Sequence, residues 1–447
     1  MTAPRPSRSL FRHRDFMLLW SGQSISEIGS SVTQLALPLL AVITLQASTF
    51  EVGILTACTT LAFLLVALPA GAWIDRWRRK PVLVWGDAGR VVLLGSIPLA
   101  KATGHLTLAQ LYVVALATGV LTVFFDVAYQ AYLPALVHKD QLVDGNGKIG
   151  TTQSFAQVAG PSVGGALVGA LGAAYAIVVD AASFGVSTIA TSLIRKKEPA
   201  PTPKADRQRL RDDIREGLRF VLDHPILKKI VGCTGTSNFF SAMMFAVEAV
   251  FLVRVLHATP AIIGVVFSLG SIGGLLGGLT AGRLAKRFGS ARIIWLSQLW
   301  SAPFAVLTPL AFRGWGVGLV AVSLFANSFM AVVYNVAQVS YRQSICPPEL
   351  QGRMNASVRF IVWGTQPLGG VAGGVLGAAI GVRPTAWVAA VGGSLAVIWV
   401  LASPLLTMRD VPGSEPEEPG PPQEMLPPGQ EPLVPAALTG AGEPGAG

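Results

Sequence analysis

Charge is what this chain of 447 residues has least of. Asp, Glu, Lys and Arg make up 13% of it, against 51% apolar residues, where soluble domains carry about 25% charged residues. That deficit excludes a solvated surface over most of the length and points to a lipid bilayer. Cysteine is nearly missing: Cys58, Cys233 and Cys346 are spaced for neither a metal site nor a disulfide framework, so they read as small apolar fillers. The five histidines all fall outside the centres of the apolar runs, which gives no support to a histidine relay. No G-x-x-x-x-G-K-S/T phosphate loop and no long soluble segment is present, so ATP is not the energy source. Neither a metal-ligand cluster nor a nucleophile–base pair appears at membrane depth. No metal, cofactor or enzymatic activity is therefore expected.

What the chain does have is long hydrophobic runs. A span needs about 20 mostly apolar residues. On that rule twelve are expected: 16–45, 52–73, 81–100, 108–131, 149–170, 173–194, 230–253, 261–282, 291–312, 316–340, 356–381 and 384–407. The segment after the basic start (Arg5, Arg8, Arg12, Arg14) is too long for a signal-peptide core and shows no clear cleavage site, so it reads as a retained first span.

A net charge of +10 could suggest nucleic acid, but the basic residues sit in turns between apolar runs. Of the 34 lysines and arginines, 28 fall in segments on one side of the spans and 4 on the other, with Arg90 and Arg359 inside spans. Inner loops retain positive charge during insertion, so both termini are expected in the cytoplasm. The expected organisation is a bundle over 1–194, a linker over 195–229, a second bundle over 230–408 and a tail over 409–447. In the linker, Leu210, Ile214, Leu218 and Val221 recur at helical spacing, an amphipathic surface helix. It reads equally as a strap between halves or as a helix packed beneath one. The tail is rich in Pro, Gly and Glu and offers no face to bury.

The two halves repeat. Gly71, Asp75, Arg76, Arg78, Arg79 and Lys80 in one inner turn match Gly282, Lys286, Arg287 and Gly289 in another, at an offset of 211. Asp126 to Tyr132 recurs as Asn335 to Tyr341, and Gly164-Gly165 as Gly373-Gly374, at 209. An even number of spans per repeat returns the second half with the same orientation, so the repeats are related by an axis along the membrane normal.

Polar stripes follow the repeat. Gln23, Glu27, Ser30 and Gln34 share one face of span one, and an offset of 211 places Thr234, Asn238, Ser241 and Phe245 on span seven. Span four carries Thr118, Thr122 and Tyr129, and span ten carries Asn327 and Gln338 with Tyr334 between them. Single Ser or Thr residues often serve as glue between helices. Matched stripes in both repeats favour a wet central cavity instead.

With these residues in view, the chain resembles the major facilitator superfamily over all twelve spans. Gly71, Asp75, Arg76, Arg79 and Lys80 look like that family's motif A, with Arg78 where a glycine is usual. Gly160, Pro161, Gly164 and Gly165 look like motif C, which the family associates with antiporters. Leu10 to Phe16, the Asp87 and Arg90 pair, Asp180 to Phe184, and Glu216 to His224 resemble the branch of macrolide-efflux and siderophore-exporter proteins. The resemblance implies twelve transmembrane helices in two six-helix bundles, alternating access, and an inner gate in which Asp75 sits under the start of span eleven and Arg79 reaches Asp126. Motif C reads as a close-packing and bending device.

Ionisable groups inside spans are presumed functional. Asp87 and Arg90, three apart on one face, read as a structural ion pair. Arg359 is placed to snorkel, and Glu248, toward the outer end of span seven, is expected to be partly wet. Glu27, deep on the polar stripe, is a candidate proton carrier or a counter-charge for a cationic substrate, and Asp180 is a second candidate for proton coupling. Span four lacks the arginine of the family's motif B, so the usual coupling arrangement has no obvious bearer. The leading expectation is a monomeric exporter of a small amphipathic compound by proton antiport. The rivals are an uptake symporter on the same fold and a non-transporting scaffold or membrane enzyme.

Overall fold

The computed structural model describes residues 10–74, 77–138, 141–196, 198, 210–347 and 350–410. Every described element is helical. The first half comprises α1 (Arg14–Leu39), α2 (Thr49–Ile74), α3 (Arg79–Ala102), α4 (Leu108–Leu136), α5 (Leu142–Leu171) and α6 (Ala173–Ser192). Linker helix α7 (Leu210–Asp223) precedes α8 (Leu227–Val250), α9 (Pro260–Phe288), α10 (Arg292–Ala305) and its one-turn continuation α11 (Leu307–Leu310). Then follow α12 (Val317–Ile345), α13 (Gln351–Ala379), α14 (Val382–Leu395) and its continuation α15 (Val397–Leu401). Eleven helical segments among the described residues are long and apolar enough to cross a bilayer. The twelfth crossing is α13, whose 29 residues include Asn355, Arg359, Thr365 and Gln366. Its polarity fits its place between α8 and α2, where neighbouring helices replace lipid.

Several helices run past the expected spans at the end that carries the basic turns. α4 continues to Leu136, α9 to Phe288 and α12 to Ile345, while α5 begins at Leu142 and α13 at Gln351. Hydropathy marks where lipid ends, whereas helical hydrogen bonding continues beyond it, here even through Pro134 of α4 and Gly145 and Gly147 of α5.

The backbone repeats itself more faithfully than the side chains do. α1 and α8 both end in a single π-helical turn, Leu40–Thr44 and Phe251–Val255. Each is followed by a left-handed non-glycine residue, Gln46 at φ 51° and His257 at φ 55°. Both pairs keep the 211-residue offset of the basic turns. Gly172 at φ 84° and Gly381 at φ 93° keep the 209-residue offset, each opening the last helix pair of its half. The basic turns differ: Gly289 adopts φ 100°, while its counterpart Arg78 sits at φ −68°. The first turn therefore needs no glycine there, which explains how arginine stands in motif A.

The halves meet along α2 with α13 and α5 with α9. At the end away from the basic turns, one apolar cluster draws Val32, Leu55, Leu111 and Ile177 from the first half and Leu252, Ile263 and Val320 from the second. At the basic end the clusters stay separate. One holds Phe16, Leu83, Phe125 and Tyr132 of the first half, and two others hold only residues from the linker helix onward. Among the described residues, a buried apolar cluster therefore joins the two halves at one end, and none does so at the other. Linker helix α7 buries Val221 against Met354 and Val358 of α13, and Glu216 pairs with Arg353. It lies under the second half.

Candidate functional site

Where the halves face each other, three chambers meet. The first, about 680 Å³, is lined mainly by α1, α2, α3, α4 and α6. The second, about 560 Å³, lies among α8, α9, α10, α12 and α14. The third, about 340 Å³, lies between α1, α5, α8 and α9. Phe245 of α8 lines all three, so they adjoin at that side chain and are taken together as the central cavity. Its position follows from the polar stripes. Residues of α1 and α4 at helical spacing turn one face inward, and the repeat turns the matching faces of α8 and α12 toward them.

The structure brings most of the predicted cavity residues together. Gln23, Glu27, Ser30, Gln34 and Thr118 line the first chamber, and Asn238 and Ser241 border both it and the second. Asn327 and Tyr334 line the second. Tyr334 shares a hydrogen bond with Thr234 at 2.8 Å, and Asn327 donates to the Ser323 carbonyl at 2.8 Å. Gln338 departs from the expectation. It is buried, lines none of these chambers, and donates to Asn335 Oδ1 at 2.9 Å. Tyr334 and Gln338 diverge here: the first borders the second chamber, and the second is buried one turn further toward the basic turn.

The chemistry of the first chamber centres on Arg90. Its Nη2 donates to Asp87 Oδ1 at 2.7 Å, and its Nε donates to the Gly86 carbonyl at 3.3 Å. Phe125 of α4 and Phe184 of α6 hold their rings 4.4 and 4.3 Å from the guanidinium, two cation–π contacts that steady a charge away from water. Asp87, Asp126, Asp180 and Glu27 all act on it electrostatically. The expected local ion pair therefore sits in a wider electrostatic group: Asp87 contacts the guanidinium, and Glu27 of α1, Asp126 of α4 and Asp180 of α6 line the same chamber as Arg90. Glu27 accepts from Gln23 Nε2 at 2.9 Å and from Gln153 Nε2 at 3.5 Å. Asp180, 1% exposed, accepts from the Ser183 hydroxyl at 3.3 Å. α1 comes close enough for this because it presents Gly29 there. A Cβ at Gly29 would lie 2.7 Å from Asp180 Oδ1 and 2.9 Å from its Cα.

The gate residues sort differently. Gly71 falls in α2, while Asp75 and Arg76 lie outside the described residues. Arg79 pairs with Glu198 at 3.1 Å, and its backbone N–H donates to the same carboxylate at 2.7 Å. It does not pair with Asp126, which lines the cavity instead. Glu198, at the start of the linker, was not singled out from sequence, although it is the one acid in the run Arg195 to Glu198.

The motif C glycines sit where helices touch. Gly160 abuts Ser31 of α1, and a Cβ on Gly165 would lie 2.9 Å from Gly264 Cα of α9, with 3.0 Å in the reciprocal direction. Ser162 donates its backbone N–H to Ser268 Oγ at 3.0 Å, and the two hydroxyls lie 2.7 Å apart. α5 passes through Pro161 as one continuous helix, so the motif acts as a contact between the halves. Glu248 also departs from its expected wet position, being 4% exposed.

The sequence pattern of transmembrane secretion effectors matches residues 6–427 of this chain. The chain belongs to that family, a branch of the major facilitator superfamily. It is 25% identical over 395 residues to the enterobactin exporter EntS of Escherichia coli O1:K1, covering 87% of this chain and 91% of that protein. It is 27% identical over 376 residues to the multidrug efflux pump Tap of Mycolicibacterium fortuitum, covering 80% and 88%. Its fold is similar to that of a nucleoside transporter NupG variant, with a TM-score of 0.71 at 14% identity, covering 88% of this chain and 99% of that one. It is equally similar to an inward-facing, occupied bacterial homologue of the lysosomal transporter Spinster, with a TM-score of 0.71 at 14% identity, covering 88% and 97%. This family member is a multi-pass membrane transporter, not an enzyme.

Proposed function

We propose that this transporter exports a small amphipathic compound across the cell membrane by alternating access, as a monomer driven by proton antiport. The observation that carries the reading is the cavity itself, closed at one end by an apolar cluster shared between halves, with no such shared cluster among the described residues at the other. The excess of basic residues at that other end supports a cytoplasmic location for it and for both termini. The arrangement is then the loading state of an exporter. Chambers of about 340 to 680 Å³ suit drug-sized ligands. The exporters among its relatives support the direction of transport.

The cluster around Arg90 is the proposed coupling site. Glu27, Asp126 and Asp180 share the first chamber with Arg90, and the exchanged proton is assigned to this group. Glu27 is half-buried and borders the cavity, which makes it the exchanging group, while Asp180 is the enclosed reserve. Arg90 on α3 takes the place of the missing span-four arginine. The halves are assigned to 1–194 and 230–408, joined by the 195–229 linker, with the tail from 409. The basic turn from Gly71 to Lys80, including Asp75 and Arg76, is assigned to the inner gate.

Everted membrane vesicles test this reading. With an acid lumen they should accumulate amphipathic compounds and alkalinise as they do so. Glu27→Gln should lose accumulation about tenfold or more while substrate exchange at equal pH persists. Accumulation in right-side-out vesicles instead would establish uptake by symport, and transport indifferent to the gradient in both would end the coupling assignment.

A further inference from the structure

Glu248 has no place in the coupling cluster, and its surroundings are unlike those of any other acid in the cavity. It is 4% exposed, yet its Oε1 has no hydrogen-bond partner. It borders both the second and the third chamber. No other charged side chain lines either chamber among the described residues. The third chamber is also lined by Gln34 and Pro38 of α1, Gln157 of α5, and Phe267 and Ser271 of α9. A carboxylate removed from water without a partner is costly. Arg90 shares the field of the first-chamber acids, whereas among the described residues Glu248 Oε1 has no hydrogen-bond partner and no cation lines its chambers.

The repeat shows that packing does not demand an acid here. The position equivalent to Glu248 at the 211-residue offset is Leu37, in a backbone that keeps the same π-helical turn three residues on. The fold accepts an apolar residue at that place, so the carboxylate answers some other need. Phe245 and Phe267 line the same chambers, and aromatic faces attract cations.

We propose that Glu248 is the recognition site for a positive charge on the substrate, so that the transported compound is a lipophilic organic cation. The charge sits at Glu248 and the apolar body extends into the second chamber, about 560 Å³. This rests on the export reading for the use of the cavity and adds the class of compound. It also divides the labour: protons in the first half, substrate charge in the second.

The test uses the purified full-length protein and two probes of similar size, tetraphenylphosphonium and uncharged triphenylphosphine oxide. Wild type should prefer the cation, and Glu248→Gln should weaken its binding about thirtyfold or more while changing the neutral probe about twofold or less. Glu248→Asp keeps the charge and should retain the preference at reduced affinity. If the glutamine variant does not fold, the aspartate variant decides, since equal losses for both probes would overturn the proposal. Unchanged cation binding in Glu248→Gln would also overturn it, as would a change confined to pH dependence, which would make Glu248 a proton carrier. The export reading fails separately: a wild type that binds the cation through Glu248 but does not move it keeps the recognition site and loses the pump.

Discussion

Arg90 shows how one side chain organises a site inside a bilayer. Arg90 is 5% exposed, so little water reaches its guanidinium. The aspartate one turn back and the two flanking rings supply what water would. Removing it leaves several acids facing one another. Arg90→Gln should therefore destabilise the protein by about 3–5 kcal/mol, the cost of breaking a buried pair, measurable as a lowered melting temperature in detergent. Asp87→Asn added to Arg90→Gln should recover part of that loss, because it removes one uncompensated charge, and the double-mutant cycle measures the coupling directly. Additive losses would mean that Asp87 is not the principal partner. Glu27 could be recognised from its depth and stripe alone. Asp126 reads from sequence as a gate partner of Arg79 instead, because Arg90, with which it shares the first chamber, belongs to another helix and no spacing along the chain relates them.

At the scale of elements, the closed end depends on contacts that only small residues allow. A Cβ on Gly53 of α2 would lie 2.5 Å from Gly374 Cα of α13, and Gly165 meets Gly264 in the same manner between α5 and α9. Arg254 adds a polar latch, donating to the Ala47 carbonyl at 2.7 Å and to the Val42 carbonyl at 3.5 Å across the halves. Replacing Arg254 with glutamine should cost this closure about 1 kcal/mol, shifting the ratio of the two access states about fivefold. Cysteine labelling of positions near Leu35 from the outer side should rise accordingly. Unchanged labelling would show the latch to be incidental. The polar stripes and motif C were legible as patterns along single helices. Which helices the glycines would join was not, since close packing between elements has no signature in the periodicity of one.

For the whole molecule, the proposed alternating access requires that the closed end open in each cycle. Thr49 Cβ lies 3.4 Å from the place a Cβ on Gly377 would occupy, close to the spacing of a disulfide, about 3.5–4.5 Å. A Thr49→Cys, Gly377→Cys pair, in a background with Cys58, Cys233 and Cys346 replaced, should arrest transport on oxidation and recover on reduction. Substrate binding from the basic side should survive. Continued transport in the crosslinked protein would rule out opening at this end. Reporter fusions at Arg409 and within the linker should both report the cytoplasm, and an external signal at either would reverse the orientation.

The sequence by itself determined the membrane class, the helices, the duplication and the family. Each of these is written in local quantities: hydropathy over about 20 residues, helical spacing, and a fixed offset between copies. It also placed Gln23, Glu27, Ser30, Gln34 and Thr118 on faces that the tertiary structure brings to one cavity. Only that structure decided which charges meet. Arg79 found Glu198 rather than Asp126, Gln338 turned into the packed basic end with Asn335, and Arg90 gathered acids from three other helices. Glu248 was left alone between two chambers. Charge pairing in a low-dielectric interior is settled by distances across helices, and the order of residues along the chain does not contain those distances.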